Sequence, residues 1–179
     1  DWEDNRMKMG VLYNWAGATD NKNTSDEDQG NTEYGADHVK VRGICPVGWH
    51  LPSDMEWSDL EEVIAAAAAN IYSTEGASST TSGFKGATGW RNPLLGRKMK
   101  SVDVGGTSKS AATGGFDALF TGHVDNNGRN FFGTRTYFWS SSSYDGSRAW
   151  RRDLISSETG VYRYRDSRSF MFPVRCKKD

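Results

Sequence analysis

Apolar positions at three- and four-residue spacing occur in one clear block. Trp57, Leu60, Ile64, Ala67 or Ala68, and Ile71 repeat at the period of one buried helical face. Ahead of them, Ser53-Asp54-Met55-Glu56 has the form of a capping box. The Ser53 hydroxyl would accept from a first-turn amide while Glu56 reaches back to the cap amide. Pro52 disfavours helical geometry at Leu51 and sharpens the start. The alanine run over 65–69 favours helix, and its small side chains allow close packing on a sheet. The spacing predicts one long capped helix from Ser53, and 94–101 is a candidate for a short second helix.

The last third changes period. Residues 118–124 lead into Asp125-Asn126-Asn127-Gly128, a hairpin-type turn because Asn and Gly tolerate positive φ, and 130–132 return. Short aromatic or β-branched runs follow at 137–140, 149–154, 161–165 and 172–176. Side chains alternate along a strand, so Tyr162 and Tyr164 share one face of 161–165 and Arg163 and Arg165 the other. The tyrosines are the set expected to face a ligand. One capped helix and then a run of strands is the α+β class, with a twisted antiparallel sheet. Polar stretches over 19–37, 72–83 and 105–115 read as long loops. The 179 residues fit a single domain over 1–179.

Composition changes this picture little. Hydrophobic residues are 36%, yet aromatics reach 12%, which excludes global disorder. No run approaches the length of a membrane-spanning helix, and no membrane span is expected. The opening Asp1-Trp2-Glu3-Asp4 carries neither a basic nor an apolar leader segment, as in a mature exported chain. A net charge of −1 gives no global case for nucleic acid. The charge is uneven: from Tyr144 onward nine Lys and Arg face five acids. Either a solvated arginine-bearing β surface or a binding face produces such a segment.

Candidate chemistry is sparse. His38, His50 and His123 are not at metal-ligand spacing, and no C-x-x-C occurs. Gly105-Gly106-Thr107 and Gly114-Gly115 match no phosphate loop, and no nucleophile elbow is present. No catalysis, metal or cofactor is expected. Cys45 and Cys176, the only cysteines, form either one disulfide or two buried thiols.

Longer motifs carry a resemblance. Gly10-Val11-Leu12-Tyr13-Asn14-Trp15 is followed by Gly43-Ile44-Cys45-Pro46-Val47-Gly48-Trp49-His50-Leu51-Pro52-Ser53 and then Glu56-Trp57. Gly115-Phe116-Asp117-Ala118-Leu119, Tyr137-Phe138-Trp139-Ser140-Ser141, Ala149-Trp150 and Phe172-Pro173-Val174-Arg175-Cys176 come after, in order. From Met9 to Asp179 the chain resembles the Fibrobacter succinogenes major paralogous domain. The resemblance implies a C-type-lectin-like fold, secretion or display at the cell surface, and no established catalysis. It also implies that Cys45 and Cys176 are bonded, since both lie in scaffold motifs. Trp49, His50, Trp139 and Trp150 are expected to be structural. Pro173 stands where the family more often has Ser. The E-P-N, Q-P-D and W-N-D tripeptides of sugar-binding C-type lectins do not occur, so calcium-dependent sugar chelation is not expected.

A second resemblance concerns 144–171. Variable proteins of diversity-generating retroelements share this kind of fold and mutate C-terminal adenines, which converts Asn codons to Tyr, Asp, Ser, Arg, Gly, Ile or Phe. The segment is crowded with those residues and holds no Asn. An ordinary polar β surface reads equally well. The leading expectation is a non-catalytic binding module, adhesin-like, for a protein or a cell-surface glycan. Its binding set is Tyr144, Asp145, Ser147, Arg148, Arg151, Asp153, Ile155, Ser156, Tyr162, Tyr164, Asp166, Arg168 and Ser169, where Tyr and Arg supply contact area and forked hydrogen bonds. The alternative is an assembly subunit of a surface appendage. A third reading is an enzyme on the same fold, as in formylglycine-generating oxidases, but those need reactive cysteines near the substrate.

Overall fold

The capping box at Ser53 is formed in the computed structural model of the protein, which describes residues 9–21, 40–69, 88–91, 95–101 and 116–179. Ser53 Oγ accepts from the Glu56 amide at 3.2 Å, and Glu56 Oε2 accepts from the Ser53 amide at 2.9 Å. In chain order the elements are α1 (Trp15–Thr19), β1 (Trp49–His50), α2 (Asp54–Ala69), β2 (Gly89–Arg91) and α3 (Leu95–Met99). There follow β3 (His123–Asp125), β4 (Gly128–Asn130), β5 (Arg135–Ser143), β6 (Arg148–Ile155), β7 (Val161–Ser167) and β8 (Lys177–Lys178). Mixed helix and antiparallel sheet agrees with the α+β class. The capped helix, α2, has 16 residues. Ile71 and the polar stretches over 22–37, 72–83 and 105–115 lie outside the described residues. No helix among the described residues is long and apolar enough to cross a membrane.

The main sheet has the order β2-β7-β6-β5, all antiparallel, beside two-stranded pairs β1-β8 and β3-β4. The β3-β4 hairpin turns through Asn126 and Asn127, but the left-handed position falls on Gly128 alone, at φ 102°. Asp125 Oδ1 holds the turn by accepting from the Asn127 amide at 2.7 Å. The run over 172–176 is not a strand. Phe172 makes one bridge to Tyr13, Pro173 has no amide to continue a ladder, and pairing resumes only in β8. Cys45 and Cys176 are bonded, with Cα atoms 5.9 Å apart.

Two cores flank the main sheet. On one side Trp57, Ala65, Leu95, Met99 and Phe120 pack against Phe138, Leu154 and Val161. On the other, Trp15, Ala18, Leu51 and Phe172 pack against Tyr137, Trp139 and Ala149. The alternation of the strands assigns each side its residues.

The seam between α2 and the sheet is charged. Asp54, Ser58 and Glu61 are buried, whereas Leu60 and Ile64, expected on the buried stripe, are only half-buried. The reason is the partner surface. Arg152 and Arg163, expected on a solvated or binding surface, are 0% and 1% exposed and point at the helix. Arg152 donates to Asp54 Oδ1 at 2.5 Å and also pairs with Glu61 Oε1. Arg163 donates to both Asp54 oxygens, at 3.0 Å from Nε and 2.5 Å from Nη2. Arg91 from β2 reaches Glu61 Oε2 at 2.5 Å and Ser58 Oγ at 3.2 Å. Burial alone would push the Asp54 carboxyl up, but Arg152 and Arg163 outweigh it and hold it below the ordinary value.

Two stability predictions follow from the helix. Asp54→Asn leaves Arg152 and Arg163 undercompensated and should cost about 3–5 kcal/mol in urea denaturation at neutral pH. A carboxyl lowered by folding stabilises fully above its unfolded value of 3.8 and loses this as pH falls through its folded value. The gap between variant and wild type should therefore shrink in strong acid; a gap unchanged by acid would contradict the ion network. Ser53→Ala should cost about 1 kcal/mol through loss of the cap, and an unchanged urea midpoint would contradict it.

Candidate functional site

Strand register arranges the sheet face that points away from α2. Trp90, Tyr162, Asp153 and Tyr137 are successive partners across β2, β7, β6 and β5. Tyr164, Arg151 and Trp139 form the next rank. Directly opposed residues share a face, so both ranks belong to one surface. Its β5 margin is closed, because Tyr137 and Trp139 pack on Phe172. Its β7–β2 margin is open: Tyr162 and Tyr164 are half-buried, and Trp90 is 49% exposed.

The open margin is a row of rings. Trp90 and Tyr162 have centroids 5.0 Å apart, and Tyr162 and Tyr164 are 5.6 Å apart and inclined by 28°. Beneath and beside the row lies Arg151, its guanidinium carbon 5.0 Å from the Tyr137 ring centre and 5.7 Å from that of Tyr164. Arg151 Nε donates to Asp166 Oδ2 at 2.6 Å, and its Nη1 pairs with Asp153 Oδ1. Burial pushes this guanidinium below the ordinary arginine value, against the opposing pull of Asp166. The surface offers apolar ring faces and phenolic hydroxyls on a floor of paired charges. That chemistry suits contact and hydrogen bonding.

The structure divides the thirteen residues expected to bind. Tyr162, Tyr164, Arg151, Asp153 and Asp166 come together on this face. Arg151 and Asp153, expected to be presented, are instead buried because they neutralise each other under the rings. Tyr144, Asp145, Ser147, Arg148, Arg168 and Ser169 gather at the end of the sheet where β5 turns into β6 and β7 ends. Asp145 Oδ1 accepts from the Ser147 and Arg148 amides, both at 2.8 Å, and Oδ2 from Arg148 Nε at 2.7 Å. Arg168 donates to the Asp145 carbonyl at 2.5 Å and to the Arg148 carbonyl at 3.3 Å, and lies over Trp15. These two residues build the turn. Ile155 and Ser156 stand at the opposite end of β6, where the Ser156 amide donates to the Thr134 carbonyl at 2.8 Å.

Trp90 was invisible to sequence reasoning. Its strand, Gly89-Trp90-Arg91, is too short to show alternation, and only pairing with β7 gives it a face. Of the four residues expected to be structural, Trp139 and Trp150 are buried and Trp49 is 39% exposed; His50 holds its structural place. Buried beside the helix cap, it contacts Asp179 Oδ1 through Nδ1 at 2.6 Å and Glu56 Oε1 through Nε2 at 2.9 Å. Lys177 adds an ion pair to Glu56 at 2.7 Å, which ties β8 to the start of α2. Burial would push the Glu56 carboxyl up, but Lys177, the Ser53 amide and His50 together hold it below its ordinary value. Among the described residues no group of three or more His, Cys, Asp or Glu could hold a metal ion.

A family model described as the Fibrobacter succinogenes major domain matches residues 2–178. Comparison with curated proteins and with solved structures gives no match.

Asp145→Ala should lower the melting temperature at neutral pH, because the carboxylate closes the β5–β6 turn. Arg148 first, then the Ser147 amide and hydroxyl, hold this carboxyl below its ordinary value of 3.8. Its contribution is therefore complete above that value and lost as pH falls through the folded one, so the two proteins should melt together in strong acid. Equal melting at neutral pH would show that the turn does not depend on Asp145.

Proposed function

This chain belongs to the Fibrobacter succinogenes major domain family, and we propose that it is a non-catalytic ligand-binding module on a C-type-lectin-like scaffold. The observation that carries the reading is the ring row of Trp90, Tyr162 and Tyr164, partly exposed on a sheet anchored from behind. Rigid aromatic side chains give large contact area with few rotatable bonds. The partner is a protein or a cell-surface glycan. A disulfide joining the 43–48 turn to the C-terminal segment favours an exported protein at or beyond the cell surface.

Retroelement diversification fits the same geometry. The outward Tyr162, Tyr164 and Asp166 are of the types that adenine mutation produces, and they can change without touching the seam. A near-repeat of the final codons, read from the flanking DNA, should differ at the codons for Tyr162 and Tyr164 and agree at those for Arg152 and Arg163. Differences spread equally over both pairs would contradict a diversified face.

An assembly subunit is the second reading. Phe131, Phe132 and Met171 are 47%, 59% and 40% exposed around the β3–β4 hairpin, a surface that a neighbouring copy could cover. Concentration-dependent self-association, abolished by Phe132→Ser, would favour it.

The binding reading is tested by replacing Trp90, Tyr162 and Tyr164 together with Ser. Arg168 is kept because it closes a turn. The variant should retain the circular dichroism spectrum and melt cooperatively, while losing partners found in a glycan-array and cell-surface screen. Truncation of one hot-spot ring typically costs about 2 kcal/mol or more of binding. A folded variant that binds as strongly as wild type would remove this face from the account.

A further inference from the structure

Most arginines of the main sheet are paired; Arg135, at the start of β5, lies over Phe131 without a carboxylate among the described residues, and Arg165 is the one such arginine beside the ring row. Arg91, Arg148, Arg151, Arg152 and Arg163 each rest on a carboxylate. Arg165 has no such partner among the described residues, and its Nε is shielded from water without an acceptor. Directly across β6 stands Trp150, 5% exposed, whose indole Nε1 also lacks an acceptor. The Arg163 guanidinium covers that indole at 3.5 Å from a ring centre and adds no acceptor. Two donors without acceptors thus stand on one cross-strand pair, Trp150 and Arg165, and such buried donors in a native protein call for an explanation.

The corner is also held in shape. The Arg165 guanidinium carbon lies 4.7 Å from the Tyr144 ring centre and 4.8 Å from that of Tyr164. Rings beside a guanidinium fix its plane, and with Nε shielded the terminal Nη1–Nη2 edge is the group on offer. That edge is a planar fork of donors, matched by a carboxylate. Arg165 leaves β7 on the side of Trp150, opposite to the tyrosines, but β2 pairs with β7 only as far as Arg163, and at the strand edge beyond it the guanidinium reaches the ring of Tyr164, the last of the row.

Resting on the proposed binding role of that row, we infer that Arg165 reads the carboxylate of an acidic saccharide, such as a uronic acid, whose sugar ring lies on Tyr164 and Tyr162. A pyranose carries its carboxylate at a fixed short distance from an apolar C–H face, and the surface offers a fixed cation beside stacked rings. An acidic peptide would look instead for pockets to anchor its side chains, as protein hot spots do.

The test is calorimetric titration of the folded chain with an oligogalacturonate and with its neutral methyl ester. Wild type should bind the acid about tenfold or more tightly than the ester, the size expected of a charge-assisted hydrogen bond. Arg165→Met should bring the two affinities together and leave ester binding unchanged. Arg165→Gln serves if the Met variant fails to fold. The Trp150 indole N–H resonance, assigned with Trp150→Phe, should move with the acid and stay still with the ester. Equal affinity for acid and ester in wild type, or a preference that survives in Arg165→Met, overturns the inference. So does tighter binding of poly-glutamate than of the sugar acid. If neither sugar binds while the ring row remains necessary for cell-surface binding, the role of Arg165 falls and that of the row stands. If the ring variant binds its partners like wild type while Arg165→Met still loses the acid preference, the row falls and the anion subsite survives.

Discussion

Three guanidiniums and two carboxylates share a dry seam between α2 and the main sheet. Each charge is costly to bury alone, and each is tolerable only because the others sit at hydrogen-bond distance. Asp54 and Glu61 are seven positions apart, two turns along the helix, with Ser58 between them on the same face. The helix can therefore dock in only one rotation and one height. An apolar seam would bury comparable area with less directional demand. The charged one fixes register, because sliding α2 by a turn would strand Arg152 and Arg163 without acceptors.

That constraint reaches the outer surface through strand alternation. With Arg163 committed to Asp54, its neighbours Tyr162 and Tyr164 must project from the opposite face. With Arg152 committed to Glu61, Arg151 and Asp153 lie on that same face, where they pair beneath the rings. Pairing with β7 then sets Trp90 beside Tyr162. The ring row is thus a consequence of the seam. Its residues can vary while the inward positions hold the sheet to the helix.

The capping box and the three long strands were legible because each has a local cause: a hydroxyl three residues before a Glu, or a run of aromatic and β-branched residues. The run over 172–176 misled because its aromatic and branched residues look like a strand, while Pro173 interrupts the ladder. Among the described side chains of the predicted stripe, Trp57 is buried, and Leu60 and Ile64 lie half-buried at the rim of the same core. Asp54, Ser58 and Glu61 repeat at helical spacing as clearly as the apolar residues do, but an apolar criterion discards them. The same criterion set Arg152 and Arg163 on the surface. Alternation over 161–165 did separate the tyrosines from the arginines correctly; what sequence lacked was the carboxylate pair waiting across the seam. Trp90 and Arg165 depend on neighbours from distant segments and left no local signal.

Chemical modification of the native protein measures directly which residues face inward. Brief treatment with phenylglyoxal and, separately, with a tyrosine-nitrating reagent, followed by peptide mass spectrometry, gives a rate for each residue against the denatured chain. Arg152 and Arg163 should be protected, while Tyr162 and Tyr164 react readily. Arginines at those two positions reacting at denatured-chain rates, with the tyrosines protected, would reverse the faces of the sheet and contradict the account.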